Sequence, residues 1–208
     1  MKSKIVFAAV FVLLLSVPSF AQVAPPCVKG TLASYIALGE GGCMFQSALY
    51  DNFTYVAAVS NAPTPDEITV TPVPGPIIAG YFIGLNFSAN WEEGPGGSQQ
   101  SIINYRVVPF PPVSSANSGQ LTLDLGPSSV GGIIGSVTVA ENTNVGDLLV
   151  YDKCNEVCSI MNMDQLTFTP IQTVQISDNI SVAGGTNGAS FCLFANDTNI
   201  CPECVQPQ

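Results

Sequence analysis

Alternation of apolar and polar residues is the feature that most restricts how this chain can fold. In QLTLDL (residues 120–125), Leu121, Leu123 and Leu125 fall on one face of an extended chain, and Val137 and Val139 do the same in SVTVA. Successive side chains of a strand point to opposite faces, so this period of two predicts strands that are buried on one side.

The same pattern recurs along the chain between turn-forming sequences. EITVTPV places Ile68 and Val70 inward, NFTYVAAV offers Phe53, Tyr55 and Ala57 on one side, and SIINYRVV, DLLVY and LTFTPIQTVQIS continue the theme. PTPD, PVPGP, EGPGGS, NSG and AGGTNG separate these segments and have the composition of turns and loops. The sequence therefore predicts an all-β fold, an antiparallel β-sandwich of jelly-roll or Ig-like type, with about nine or ten strands.

One helical segment is expected near the start of the sandwich. In TLASYIALG, Leu32, Tyr35 and Ile36 can share a helix face, and Gly39 is a suitable stop. The fold prediction therefore includes one short N-terminal helix.

The first residues have the pattern of an export signal. Lys2 and Lys4 precede an uncharged apolar run over residues 5–17, and PSFAQ then places Ser19 and Ala21 as in a signal-peptidase site. The run is too short for a membrane anchor, and no later stretch predicts a membrane span. We expect a signal peptide over residues 1–21, a single sandwich domain over 22–200, a cysteine-containing tail over 201–208, and secretion to the extracellular space.

Charge and the missing histidine exclude several functions. The formal net charge is −10, and after removal of the signal only Lys29, Arg106 and Lys153 are basic, so nucleic acid and anionic lipid surfaces are unsuitable partners. The absence of histidine excludes Ser-His-Asp and Cys-His nucleophile systems and most catalytic zinc and copper sites. We expect no catalytic residue, no metal and no cofactor.

Cysteines in an exported chain predict disulfide bonds. Short loops are the cheapest to close, which favours Cys27–Cys43, and CNEVC allows Cys154–Cys158 across a tight turn. The remaining pairing is open: either Cys192 bonds to Cys201 or Cys204, or the last two bond to each other. The candidates are Cys27, Cys43, Cys154, Cys158, Cys192, Cys201 and Cys204.

The terminal CPEC motif has two further interpretations. A zinc site needs four converging thiolates, and CNEVC and CPEC lack the context of a zinc ribbon. A redox pair needs a helix start that lowers the thiol pKa, whereas Glu203 lies between these two cysteines in a Pro-flanked tail. We therefore interpret the motif as structural.

Few other residues suggest a site. Trp91 is the single tryptophan and is a candidate for stacking on a sugar ring if exposed, or a core or rim residue if not. Glu92 and Glu93 follow it, but neighbours on a strand face opposite ways, and NWEEGPGG favours a solvated loop over a glycosidase pair. FANDTN and DKCNE offer oxygen ligands for calcium without matching a known calcium loop.

Several segments of the sequence also resemble a known group of proteins. CVKGTLASYIALGEGGCMFQSALYDNFTYV resembles the start of exported bacterial proteins of the PEP-CTERM sorting-domain group, and DEITVTPV, GLNFSANW and NISVAGGTNGASFCLF look like later strands of that group. The sorting signal itself, with its Pro-Glu-Pro motif, hydrophobic span and basic end, does not occur in this sequence. The resemblance implies a secreted or surface β-sandwich and transfers no catalytic residue.

These observations predict a secreted non-enzymatic protein, structural or adhesive, of the bacterial cell surface or extracellular matrix. Its expected partners are extracellular polysaccharide or other surface proteins. The alternative is a carbohydrate-binding module, which an exposed row of Trp91 with Tyr81, Tyr105 or Tyr151 would favour. An enzyme would require two buried, facing carboxylates in one cleft.

Overall fold

The computed structural model describes residues 23–46, 48–59, 61–74, 81–109, 118–169 and 173–201. They form one α-helix, one 3₁₀ helix (Gly39–Gly41) and fourteen strands. The elements are β1 (Gly30–Thr31), α1 (Leu32–Ile36), β2 (Cys43–Phe45), β3 (Ala48–Ala57), β4 (Thr69–Pro74), β5 (Tyr81–Glu93), β6 (Ser98–Pro109), β7 (Ser118–Leu125), β8 (Ser128–Val130), β9 (Gly135–Thr143), β10 (Gly146–Asn155), β11 (Val157–Met161), β12 (Met163–Phe168), β13 (Val174–Gly184) and β14 (Ala189–Cys201).

The strands form two sheets. The front sheet has the order β11-β10-β9-β13-β6-β3-β2, and the back sheet has the order β1-β4-β5-β14-β7-β12, with β8 also paired to β14. Pairing within both sheets is antiparallel, and the two apolar inner faces share one core. The predicted antiparallel β-sandwich is confirmed.

The connectivity is that of a jelly roll. Four strand pairs are nested in the sequence: β5 with β14, β6 with β13, β7 with β12, and β9 with β10. Numbering these eight strands along the chain gives the order 1-8-3-6 in the back sheet and 2-7-4-5 in the front sheet. This double Greek key decides between the two predicted sandwich types.

Ten of the strands have six or more residues, which agrees with the predicted number. The short strands β1, β2, β8 and β11 were not predicted. They have two to five residues, too few for a period of two to stand out in the sequence.

The helix forms within the predicted segment but ends at Ile36, with Ala37 as its C-cap, before the predicted stop at Gly39. Thr31 is its N-cap, and the Thr31 hydroxyl accepts a hydrogen bond from the Ser34 backbone N–H. Leu32 and Tyr35 are buried against the sandwich. A five-residue helix has little stability of its own, so this packing fixes it.

Aromatic rings link the two sheets through the core. Trp91 stacks on Phe191 with ring centroids 4.8 Å apart and also contacts Phe194. From Phe194 the contacts continue through Phe87 to Tyr105 in the front sheet. Each such pair adds about 0.5–1.5 kcal/mol beyond burial of its area.

Among the described residues, no helix is long and apolar enough to cross a lipid bilayer. The predicted signal peptide lies outside the described residues.

Candidate functional site

The outer surface of the central front-sheet strands is mostly polar. Along β6, β13 and β9, buried residues alternate with less buried ones. Most of the outward residues are hydroxyls and amides: Gln100, Asn104, Ser136, Thr138, Asn142, Gln175, Ser177, Asn179 and Ser181. Arg106 and the apolar Ile102, Val108, Ala140 and Ala183 lie between them.

A groove of about 520 Å³ crosses this surface where β3, β6, β13 and β9 lie side by side. Tyr105 and Ile176 also border it, but their side chains are buried in the core. The other lining residues are polar: Asn52, Asn104, Arg106, Asn142, Thr143, Asn144, Gln175 and Ser177.

A β-bulge in β3 shapes one wall of the groove. The register between β3 and β6 shifts between Asp51 and Thr54. Asn52 lies inside this shift with a φ of 56°, a conformation that asparagine tolerates better than most residues. A bulge bends its strand and redirects a side chain, and here the exposed Asn52 is the result.

Three amides of the groove are available to a ligand. Asn52, Asn142 and Gln175 are exposed, and their side-chain amides make no hydrogen bond within the described residues. By contrast, the Asn144 Oδ1 accepts from the Gln175 backbone N–H at 2.9 Å, and its Nδ2 donates to the Thr173 carbonyl at 3.0 Å. The free amides offer both donors and acceptors.

The single charged side chain in the lining is neutralised. Arg106 donates from Nε and Nη2 to the two carboxylate oxygens of Asp51, at 2.7 and 2.6 Å. Asp51 is fully buried, while 38% of the Arg106 side chain is exposed. These hydrogen bonds raise the pKa of Arg106 further, and the groove has no net charge.

A buried polar cluster lies on the inner face of the same strands. Asp178 on β13 is directly opposite Glu141 on β9, and their exposed fractions are 0% and 1%. Asn196 of the back sheet donates from Nδ2 to Asp178 Oδ2 at 2.7 Å and to the Tyr105 hydroxyl at 2.9 Å. Within the described residues, both Glu141 oxygens, Asp178 Oδ1 and Asn196 Oδ1 have no hydrogen-bond partner.

Burial governs the protonation of this cluster. It raises the pKa of Asp178 to about 7, against a smaller lowering effect of the Asn196 hydrogen bond. Burial, followed by the charge of Asp178, raises the pKa of Glu141 well above its usual range. Burial and the two carboxylates also raise the pKa of the Tyr105 phenol, so it stays protonated.

Trp91 is a core residue. Its exposed fraction is 0%, and it packs between Phe191 and Phe194. A ring without exposed surface cannot stack on a sugar, so the stacking role considered for Trp91 is wrong in this structure. Tyr105 is buried too, and Tyr151 is half-buried beneath Lys153. The Tyr81 side chain is not among those that the structure describes.

Two of the predicted disulfides are present. Cys27 is bonded to Cys43, and Cys154 is bonded to Cys158. Both predictions are confirmed.

Of the two pairings left open, the bond from Cys192 to Cys201 or Cys204 is absent, because Cys192 is an exposed free thiol. It lies at a bulge of β14, where the pairing with β5 shifts. Cys201 ends the same strand, about 30 Å further on at about 3.3 Å per residue, well beyond disulfide range. The Cys201 side chain and all of Cys204 lie outside the described residues, and their mutual pairing stays a prediction.

Glu92 and Glu93 close strand β5 and do not lie in a loop, which corrects the sequence interpretation. Glu92 is exposed, and Glu93 is 7% exposed and accepts from the Asn61 amide. The two carboxylates face opposite sides, as alternation predicted, and they do not form a facing pair.

Sequence reasoning missed the groove amides and the buried acids. The acids were within reach of the pattern: Glu141 continues the inward series of Val137 and Val139, and Asp178 falls between Ile176 and Ile180. The groove left no such signal, because it depends on which strands are neighbours.

No protein-family model matches the chain, and no curated protein matches it. Among solved structures, the chain is similar to TmCBM61, a module solved in complex with β-1,4-galactotriose, at 11% identity over 69% of this chain and 86% of that chain, with a TM-score of 0.30. It is also similar to the enzymatically active domain of tailspike protein 4 from bacteriophage CBA120, at 13% identity over 69% of this chain and 19% of that chain, with a TM-score of 0.28. TM-scores this low transfer no function.

Proposed function

We propose that this protein is an exported, non-enzymatic adhesive protein that binds neutral polysaccharide in the groove of its front sheet. The observation that carries the proposal is the set of three unpaired amides, Asn52, Asn142 and Gln175, around an electrically neutral groove. Each amide can pair with two hydroxyls, one as donor and one as acceptor, and hydroxyls are the groups that a neutral sugar presents.

The charge of the molecule favours a neutral ligand. Arg106 is paired with Asp51 inside the groove, and the whole chain carries a formal charge of −10. Polysaccharides rich in carboxylate or sulfate would be repelled and would find no free cation in the groove.

A single groove is expected to bind polysaccharide weakly. A net hydrogen bond contributes about 0.5–1.5 kcal/mol, so about four of them give roughly 4 kcal/mol, the free energy of millimolar binding. No aromatic side chain is exposed in the groove lining to add stacking energy. Weak contacts repeated along a polymer suit adhesion better than capture of a small sugar.

A non-enzymatic role is supported by the position of the acids. Glu141 and Asp178 face each other, but they have almost no exposed surface and lie behind the strands that form the groove. A substrate in the groove would meet the outer side chains of those strands and not these carboxyl groups. Export is supported by the signal pattern of the sequence and by the two disulfides.

The first test is affinity electrophoresis of the oxidised protein in gels that contain galactan, glucan, mannan, xylan or, for comparison, the anionic alginate. We expect retardation by at least one neutral polymer and none by alginate. Asn142→Ala and Gln175→Ala should each weaken binding about tenfold, the effect of losing about 1.4 kcal/mol.

A matched control is Gln165→Ala, which removes an exposed amide from β12 of the opposite sheet. It should leave retardation unchanged. Equal weakening by Gln165→Ala, or preference for alginate, would disprove binding in this groove.

A further inference from the structure

Glu141, Asp178 and Tyr105 lie on the inner face of β9, β13 and β6, and the groove lies on the outer face of the same three strands. Asn142 of the groove follows Glu141 on β9, Ser177 precedes Asp178 on β13, and Tyr105 lies between Asn104 and Arg106 on β6. Residues directly opposite on antiparallel strands have Cα atoms about 4.5–5.5 Å apart, so a change in the spacing of Glu141 and Asp178 also moves Asn142 and Ser177.

No positive charge faces this pair in the described part of the chain. Tyr105 of β6 interacts electrostatically with both carboxyl groups and with Tyr50 of β3, and both of these tyrosines are buried phenols. Tyr35 and Tyr55, further along the same side of the core, are phenols too. From the back sheet the pair meets the neutral amide of Asn196. Lys29 and Lys153 are exposed, and Arg106 points to the outer surface, where it binds Asp51.

Two carboxylates side by side in this surrounding would repel each other without compensation. Both groups have almost no exposed surface, Asn196 satisfies a single oxygen of Asp178, and the remaining carboxyl oxygens have no partner within the described residues. A proton on either group removes the repulsion and adds a hydrogen-bond donor between the strands. The core around Glu141 and Asp178 therefore stays ordered only while at least one of the two carboxyl groups is protonated.

We propose that Glu141 and Asp178 form a proton-controlled switch that keeps β9 and β13 together in the protonated state and loosens the groove when the pair ionises. The claim that the switch regulates ligand binding in the groove rests on the proposed function. The effect of the switch on the pairing of β9 and β13 does not require a ligand.

The direction of the pH effect follows from the raised pKa values of both groups. In the unfolded chain, the carboxyl groups of Glu141 and Asp178 titrate at about pH 4. In the folded state they keep their protons to about pH 7 or above, so between these limits the folded state holds more protons than the unfolded state. The contribution of the pair to the free energy of unfolding is therefore greatest below this window and falls as pH rises through it.

The experiment compares wild type, Glu141→Gln, Asp178→Asn, the double variant and the exposed-carboxylate control Asp66→Asn. Each substitution is close in shape, and an amide oxygen at position 178 still accepts from Asn196. Thermal unfolding is measured from pH 5 to 8.5, with amide hydrogen exchange at Asn142 and Ser177 corrected for the intrinsic pH dependence of exchange.

In wild type and the control we expect the Tm to fall with rising pH. The corrected rate of amide hydrogen exchange at Asn142 and Ser177 should rise up to about tenfold per pH unit for each extra proton that the folded state holds. The double variant should show neither trend. Infrared spectra of wild type at pH 5 should contain the carbonyl band of a protonated carboxyl that the double variant lacks.

Other results separate the two proposals. Exchange at Asn142 and Ser177 that follows pH, with no polysaccharide bound at any pH, would retain the switch and reject the polysaccharide function. Polysaccharide binding with pH-independent Tm and exchange would retain that function and overturn the switch. If Ca²⁺ restored the Tm of wild type at pH 8.5 but not that of the double variant, the pair would be a cation site and the switch would also be overturned.

Discussion

At the scale of single residues, the pair of Asp51 and Arg106 shows how a charge is held inside a neutral surface. Asp51 is completely buried beside the bulge of β3, and two short hydrogen bonds from Arg106 satisfy it. Hydrogen bonds to a charged group contribute more than neutral ones, about 1.5–3 kcal/mol. The pair therefore fixes the bulge and keeps the groove uncharged.

Asp51→Asn tests this role. The variant retains the shape of the side chain but loses the carboxylate, so we expect a loss of about 2 kcal/mol and a Tm lower by roughly 4–8 °C, as measured by circular dichroism. The unpaired Arg106 should also give the groove weak affinity for alginate. Asp66→Asn, on an exposed turn, is the control and should change neither property. A Tm as high as that of wild type would show that the ion pair does not stabilise the fold.

The residues also show which parts of the site a sequence can reveal. Alternation placed Leu121, Leu123 and Leu125 inward, and all three are buried. The same rule applied to polar residues would have placed Glu141 and Asp178 inward, because a strand register does not depend on residue type. The expectation that acids are solvated concealed them.

At the scale of elements, the strands were predictable and their partners were not. A period of two is local, whereas pairing depends on contacts between residues far apart in the chain. Asn142 on β9 and Gln175 on β13 border one groove because these strands are neighbours in the front sheet. No local pattern could have placed them together, and the bulge at Asn52 likewise depends on the pairing of β3 with β6.

The two disulfides should differ in their effect on stability. Cys27–Cys43 spans 16 residues around α1, and Cys154–Cys158 spans 4 across the turn from β10 to β11. In the chain-entropy account, loops of these sizes contribute about 3 and about 2 kcal/mol. The variant with serine at both Cys27 and Cys43 should therefore unfold at a lower urea concentration than the variant with serine at both Cys154 and Cys158. The reverse order would show that native-state packing of the β10–β11 hairpin outweighs loop entropy.

At the scale of the whole molecule, the nested strand pairs make the fold a single cooperative unit. The outermost pair joins β5 to β14, so Tyr81 is opposite Ile200 and most of the sandwich lies between them in the sequence. The back sheet cannot be completed until this last strand is placed, because β14 lies between β5 and β7. Contacts so distant in sequence also predict slow folding, on the scale of milliseconds to seconds or longer.

Trp91 provides a direct test of this cooperativity. It is the single tryptophan of the chain and lies in the back sheet, at the aromatic contact between β5 and β14. In urea at pH 5, with the disulfides intact, its emission should shift at the same midpoint as the loss of β-sheet circular dichroism. If the emission shifted first, the β5–β14 pair would open before the front sheet, and the sandwich would consist of two separately stable parts. At pH 8.5 the ionised Glu141–Asp178 pair should lower both midpoints together, because a single core connects the front sheet to Trp91.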